Sequence, residues 1–172
     1  MFRYTIIFIL FSLTTFAQQE GLFTQYMFNP SIINPAYVVT KNAPSIYIQQ
    51  RNQWGNLEGS PNTSFFSYQH PSLFQNLGIG INIVSDNIGP VTDFSSSVDF
   101  SSLIRISERW NTSLGIKLAY NVLNVNFDLL NIYNPSDPFF SKNIRNLSSL
   151  NFGFGVFIFS EKTYFGFSSP SV

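Results

Sequence analysis

The feature that most constrains this chain is an alternation of apolar and polar residues that recurs from Ser45 onward. Between Leu77 and Ile83, every odd position holds Leu or Ile, and the even positions hold Gly and Asn. A β-strand sends such residues to two opposite faces, whereas a helix would scatter them around its circumference. The pattern predicts seven antiparallel strands, over residues 45–51, 63–70, 77–86, 93–106, 110–122, 150–159 and 163–168.

The composition suits strands that face lipid on one side. Charged residues are only 10% of the chain, against roughly 25% in typical globular proteins, so a soluble β-sandwich would lack charge on its solvent face. No interior run approaches the roughly 20 apolar residues that a membrane helix needs. Apolar residues that alternate with Gly, Ser and Asn are typical of barrels with a lipid face and a lumen. We therefore predict an all-β fold, an antiparallel transmembrane outer-membrane β-barrel.

The N-terminus predicts export. Arg3 precedes a short apolar run, Tyr4 to Leu13, and Thr15 and Ala17 place small residues at the −3 and −1 positions of a cleavage site. The run is too short for a membrane anchor. We expect residues 1–17 to be a cleaved signal peptide and the mature protein to lie in the outer membrane.

The predicted connections alternate in length, which suggests an orientation. Those after the first, third and fifth strands are longer, and the longest spans Leu123 to Leu147. Because such barrels have short periplasmic turns and longer extracellular loops, this loop is expected at the cell surface. Residues 18–44, interrupted by two Asn-Pro pairs, are expected to form an irregular periplasmic N-terminal segment, with a helical turn near Gln25 to Met27.

The strand count predicts an incomplete barrel. Single-chain bacterial barrels have an even number of strands, and an unpaired edge in lipid leaves backbone groups without hydrogen bonds. Seven strands within residues 45–172 therefore lead us to expect that these residues are the N-terminal part of a longer protein.

Catalytic chemistry finds little support in the sequence. The chain has no Cys and one His, His70, for which no Ser or carboxylate stands out as a partner. We expect no catalytic residue, no metal site and no cofactor, hence no enzyme. A net charge of zero and the lack of a basic patch also argue against a nucleic-acid partner.

Three motifs resemble the PorP/SprF family, outer-membrane proteins of the Bacteroidetes type IX secretion system. They are Gln25-Tyr26-Met27-Phe28-Asn29-Pro30 with Ile33-Asn34-Pro35-Ala36-Tyr37, then Arg51-Asn52-Gln53-Trp54 with Gly59-Ser60-Pro61-Asn62-Thr63 and His70-Pro71, and finally Asp86-Asn87-Ile88-Gly89-Pro90. One departure is that Val38-Val39 follow Asn-Pro-Ala-Tyr where the family usually has Ala-Gly. The resemblance runs from about Gln18 to the end of the chain, and family members are considerably longer.

The resemblance implies a non-enzymatic barrel that docks or anchors secreted substrate proteins, such as adhesins, at the cell surface. It implies as partners the periplasmic and outer-membrane components of the secretion system, the C-terminal domains of its substrates and outer-membrane lipid. The alternative function is a pore for small hydrophilic solutes, which an interior packed with large residues such as Ile48 and Phe159 would disfavour. A soluble secreted β-domain that binds a partner is a third possibility. The candidate motif or partner residues, each of which could instead be structural, are Tyr26, Asn29, Pro30, Asn34, Pro35, Arg51, Trp54, Asp86, Gly89 and Pro90.

Overall fold

The computed structural model describes residues 29–55, 57–74, 76–130 and 142–170. These residues form one antiparallel sheet in which every strand pairs with the next in sequence, and the sheet curls into a half-barrel. The strands are β1 (Ser45–Asn52), β2 (Asn62–Phe74), β3 (Leu77–Ile88), β4 (Val91–Arg105), β5 (Asn111–Val125), β6 (Ile144–Phe159) and β7 (Tyr164–Ser169). Short 3-10 helices cover Pro30–Ile32, Pro35–Thr40 and Phe127–Leu129. The prediction of an antiparallel all-β barrel fold with seven strands is confirmed.

The inner strands are long enough to cross a membrane. Strands β2 to β6 contain 13, 12, 15, 15 and 16 residues, and about 9–11 residues of a tilted strand span the hydrocarbon layer. None of the helices in the described part of the chain is long and apolar enough to span a membrane.

The two faces of the sheet have opposite chemistry, as the alternation predicted. On β5 the convex face exposes Leu114, Ile116 and Leu118, whereas the concave face buries Ser113 and Lys117. The same arrangement recurs on β3 and β4, where Asn82 and Asp99 are buried while isoleucines and Phe100 are exposed. A soluble protein would bury the apolar face, so this exterior has the composition that lipid requires.

The concave face is covered by residues 29–40, which we call the inner segment. Ala36, Val38 and Val39 of this segment are buried, and the helix Pro35–Thr40 contacts strands β2 to β6. The segment and the polar sides of the strands together form the interior of the half-barrel. The signal peptide and the helical turn predicted near Gln25 lie outside the described residues.

Two boundaries differ most from the sequence-based expectation, the end of β2 and the start of β6, and the other boundaries differ by at most three residues. Strand β2 continues past Pro71 to Phe74, because an irregularity in the pairing between His70 and Phe74 accommodates a residue that has no N–H to donate. Strand β6 begins at Ile144, within the predicted 123–147 loop. Its first residues do not alternate in polarity, and Asn146 takes a left-handed conformation with φ 52° beside a register shift, so the strand pattern is hidden there.

Candidate functional site

The two Asn-Pro pairs build the inner segment. Pro30 and Pro35 each occupy the first turn of a 3-10 helix, where the fixed φ of proline is suitable and its missing N–H is not needed. The side chain of Asn34 accepts a hydrogen bond from the backbone N–H of Ala36 at 3.0 Å and so caps the second helix. These motif residues therefore determine the local conformation of the inner segment.

Glycines on the concave face allow the inner segment to approach the strands closely. A Cβ added at Gly115 would lie only 2.6 Å from the Cα of Ala36, and one at Gly155 would overlap the side chain of Asn34. At Gly78 an added Cβ would lie 3.0 Å from the Cα of Val39. The glycines of these strands are thus a requirement of packing, since any side chain there would occupy the space of the segment.

Hydrogen bonds from three strands fasten the segment. Ser113 Oγ donates to the carbonyl of Ala36 at 2.7 Å, and Asn34 Nδ2 donates to the carbonyl of Val156 at 3.1 Å. The Gln69 amide donates to Ser31 Oγ at 2.6 Å and also to Asn29 Oδ1. Most of these groups are buried, so each bond also prevents an unsatisfied polar atom.

A buried charge pair lies beneath the first helix of the segment. Lys117 Nζ donates to the carbonyl of Ile32 at 2.6 Å and lies 3.8 Å from Asp99 Oδ1. Asn82 Nδ2 in turn donates to Asp99 Oδ2 at 2.7 Å. Both charged side chains are nearly inaccessible to solvent, 8% and 0% exposed, so each charge depends on the other and on these hydrogen bonds.

Where the inner segment ends, the chain turns into β1. Lys41 donates to Ser45 Oγ at 3.0 Å across this turn. Partial burial lowers the pKa of the Lys41 ammonium group, because desolvation disfavours its charged form.

The third motif and the part of the second motif from Arg51 to Thr63 meet at one rim of the half-barrel, whereas His70-Pro71 lies towards the other end of β2. This motif-bearing rim consists of the connection between β1 and β2, the turn between β3 and β4, and the residues that follow β5. Gly89 N donates to the Gly59 carbonyl at 2.9 Å, and Asn126 N donates to the Pro90 carbonyl at 2.8 Å. Gly59 and Gly89 have φ of 75° and 55°, a conformation that glycine adopts readily. The turn residues thereby join three neighbouring connections into one hydrogen-bonded surface.

The rim places the remaining candidate residues in different environments. Asp86 Oδ1 accepts a hydrogen bond from Thr63 Oγ1 at 2.7 Å. Thr63 lies on β2, directly opposite Arg51 of β1. The Gln53 side-chain amide is satisfied when its oxygen faces the Arg51 guanidinium. In that orientation the oxygen accepts a hydrogen bond from Arg51 Nε at 2.9 Å. Trp54 is 69% exposed, which leaves its indole available to a partner.

The candidate residues thus separate into two groups. The inner segment contains Asn29, Pro30, Asn34 and Pro35; the rim contains Arg51, Trp54, Asp86, Gly89 and Pro90; and Tyr26 lies outside the described residues. Sequence reasoning missed Lys117, Asp99, Gln69 and Ser113 as partners of the motif. The available signal was Lys117, a cation in the middle of an alternating strand.

Of the two large residues expected in the interior, Ile48 lies elsewhere, whereas Phe159 lies on the interior face. Ile48 is 74% exposed on the apolar face and does not interrupt the polar one. The ring of Phe159 stacks on that of Phe157 at 5.5 Å, and Phe157 contacts Tyr37 of the inner segment edge to face. The interior is filled mainly by the inner segment itself, with Val38 and Val39 buried.

Within the described ranges, no group of three or more His, Cys, Asp or Glu side chains is placed to hold a metal ion.

A half-barrel with an apolar exterior, long hairpins and a fastened inner segment defines a membrane β-barrel protein whose interior is occupied. A family model described as "Type IX secretion system membrane protein PorP/SprF" matches residues 15–172. The chain therefore belongs to the PorP/SprF family of type IX secretion system membrane proteins, which is not a family of enzymes. No curated protein and no solved structure matches the chain.

Proposed function

We propose that this protein is an outer-membrane docking barrel of the type IX secretion system, which holds secreted substrates such as adhesins at the cell surface. Its membership of a type IX secretion family supports the assignment to that secretion system. The observation that carries the docking role is that the concave face is occupied by residues 29–40. A protein whose interior is filled is suited to act through its surfaces rather than through an aqueous passage.

The motif-bearing rim is the surface we assign to the cargo. It includes the two longest connections between strands, residues 53–61 and 126–143, and the longer connections of such barrels face the cell exterior. The turn after β3, which was expected to be longer, has only two residues, Gly89 and Pro90. It exposes Trp54, Leu57 and Leu129 at 69%, 64% and 69%. Exposed aromatic and aliphatic side chains on a rigid, hydrogen-bonded surface are typical anchors of protein interfaces.

We assign the opposite rim to the periplasmic components of the secretion system. Its connections are short, such as the turn in which Ser160 N donates to the Thr163 carbonyl at 2.8 Å. The N-terminal segment was expected to share this role. The described part of that segment lies against the concave face. The assignment to periplasmic partners therefore rests mainly on the short turns.

The test is cross-linking and affinity purification of the tagged, full-length protein from its native outer membrane, followed by mass spectrometry. We expect to recover type IX components and proteins that carry type IX C-terminal domains. Recovery of the protein alone, with measurable single-channel conductance, would instead favour the solute pore.

Substitution of the rim is expected to reduce cargo recovery. Because a buried aromatic anchor of an interface contributes about 2 kcal/mol or more, Trp54→Ala should weaken cargo binding roughly 30-fold. Leu57→Ser should act in the same direction. The control is Ile106→Ser, since Ile106 is similarly exposed, 61% against 64% for Leu57, but follows β4 at the opposite rim. Equal loss of cargo in Leu57→Ser and Ile106→Ser would contradict the assignment of the rim.

The lipid-facing role of the convex surface has its own test. Ile116 lies in the middle of β5 and is 62% exposed, and Leu129 lies beyond the strands and is 69% exposed. In a membrane, Ile116→Arg should lower the free energy of unfolding by about 2–4 kcal/mol, whereas Leu129→Arg should change it by less than about 0.5 kcal/mol. Urea titration of the protein in lipid vesicles measures both. Equal, small effects would indicate that the convex surface faces water.

A further inference from the structure

We propose that the concave face of the sheet is a peptide-binding groove whose ligand is the chain's own inner segment, and that the bound segment closes the interior to hydrophilic solutes. This closure is a property of the interior and does not depend on which cargo the rim binds.

The groove lets the segment approach the sheet closely, with its backbone over Gly115 and Gly78 and its side chains over Gly155 and Gly80. Glycines lie under successive residues of the segment, Gly155 under Asn34, Gly115 under Pro35 and Ala36, Gly80 under Val38 and Gly78 under Val39. They come from three strands that are not all adjacent, β3, β5 and β6. Glycine at each of these contacts makes a shallow channel in the sheet along the path of the segment.

The polar groups of the groove match a particular peptide. Lys117 and Ser113 donate to the backbone carbonyls of Ile32 and Ala36, so they recognise the 3-10 conformation rather than side chains. The two asparagines are recognised separately, Asn29 by Gln69 and Asn34 by the Val156 carbonyl. The ligand class is therefore a short peptide with two Asn-Pro pairs, spaced as they are in this chain.

The closure follows from what the segment covers. The concave sides of β4 and β5 carry buried polar residues, namely Ser97, Asp99, Ser101, Ser113 and Lys117. Without the segment, these side chains would line the interior and hydrate, as in the polar lumen of a channel. With it, Ala36, Val38 and Val39 lie at the centre of the half-barrel and are at most 6% exposed.

Thiol labelling tests the bound state without perturbing the groove. The chain has no cysteine, so single cysteines can be introduced in the full-length protein. Val38 is fully buried in the groove, and Ile33, in the same segment, is 44% exposed. In native outer membranes, a hydrophilic maleimide should label Ile33→Cys at least 10-fold faster than Val38→Cys. Equal rates would overturn the proposal that the segment occupies the groove.

Conductance tests the closure. In planar bilayers the unmodified full-length protein should show no steady channel, whereas a variant with residues 29–40 replaced by a Gly-Ser linker should conduct. A synthetic peptide of residues 29–40 should restore closure, and the same peptide with Asn29→Ala and Asn34→Ala should need at least a 10-fold higher concentration.

Either of two conductance results would overturn the closure. One is a steady channel in the unmodified protein. The other is a linker variant that shows the heat-dependent electrophoretic shift of a folded barrel but does not conduct. If the linker variant does not fold, conductance of the unmodified protein and the thiol-labelling rates still decide the proposal.

Discussion

Gly115→Ala is expected to displace the inner segment and to destabilise the barrel strongly. An alanine Cβ at this position would overlap the backbone of Pro35 and Ala36, and a contact of 2.6 Å to the Cα of Ala36 cannot be relieved by rotating a side chain. Displacement would expose Val38 and Val39, whose burial contributes roughly 1.5–3 kcal/mol each. The free energy of unfolding should therefore fall by about 3 kcal/mol or more.

The matched control is Gly55→Ala. A Cβ at Gly55 would meet no atom within 4 Å, so the same substitution there adds no contact. Because alanine restricts the unfolded chain more than glycine, it should leave stability unchanged or raise it by up to about 1 kcal/mol. Urea unfolding of the full-length protein in vesicles compares the two variants. A Gly115→Ala protein as stable as Gly55→Ala would show that the segment does not lie on β5.

Lys117→Met is expected to have the second large effect. The substitution keeps much of the side-chain volume but removes the cation, so buried Asp99 would have to keep a charge without a counter-ion or bind a proton, with Asn82 as its remaining hydrogen-bond partner, and either state costs free energy. The carbonyl of Ile32 would lose its 2.6 Å hydrogen bond as well. Removing one partner of a buried ion pair costs about 3–5 kcal/mol, and we expect a loss of unfolding free energy in that range.

The double variant Lys117→Met with Asp99→Asn separates the charge effect from the packing effect. It leaves no unpaired charge, so its loss of stability should be clearly smaller than the sum of the two single losses. The surface control is Lys142→Met, because Lys142 is exposed, and its effect should stay within about 0.5 kcal/mol. Additive single effects, or a Lys117→Met protein as stable as Lys142→Met, would contradict the buried-pair explanation.

The occupied interior also changes the interpretation of the family motif. The Asn-Pro pairs could have been simple turn residues or partner contacts when only the sequence was considered. In the structure, Asn34 both caps a helix and reaches β6, with hydrogen bonds of 3.0 Å to Ala36 N and 3.1 Å to the Val156 carbonyl. The departure from the family pattern at Val38-Val39 lies in a buried part of the segment, where the two valines pack over Gly80 and Gly78. Larger apolar residues there fill space inside the half-barrel.

The sequence by itself determined the strands, their faces and the family. Alternation is a local property with a period of two residues, so Leu77 to Ile83 could be assigned to a strand with one apolar face before any contact was known. The turn residues were equally local, since Gly89 and Pro90 favour a turn whatever surrounds them. The low charge then distinguished a lipid-facing exterior from a solvated one.

Only the tertiary structure decided what fills the sheet and why the glycines are there. The decisive contacts join residues far apart in sequence, Ala36 with Ser113 and Asn34 with Val156, separated by 77 and 122 positions. A strand glycine looks the same in sequence whether it faces water or another backbone, and Lys117 looks like a residue of a wet lumen. The curl of the sheet brings the strand glycines and Lys117 against residues 29–40. Because burying a polar group without a partner is costly, the polar side chains of the concave face bind the segment, and the face acts as its groove.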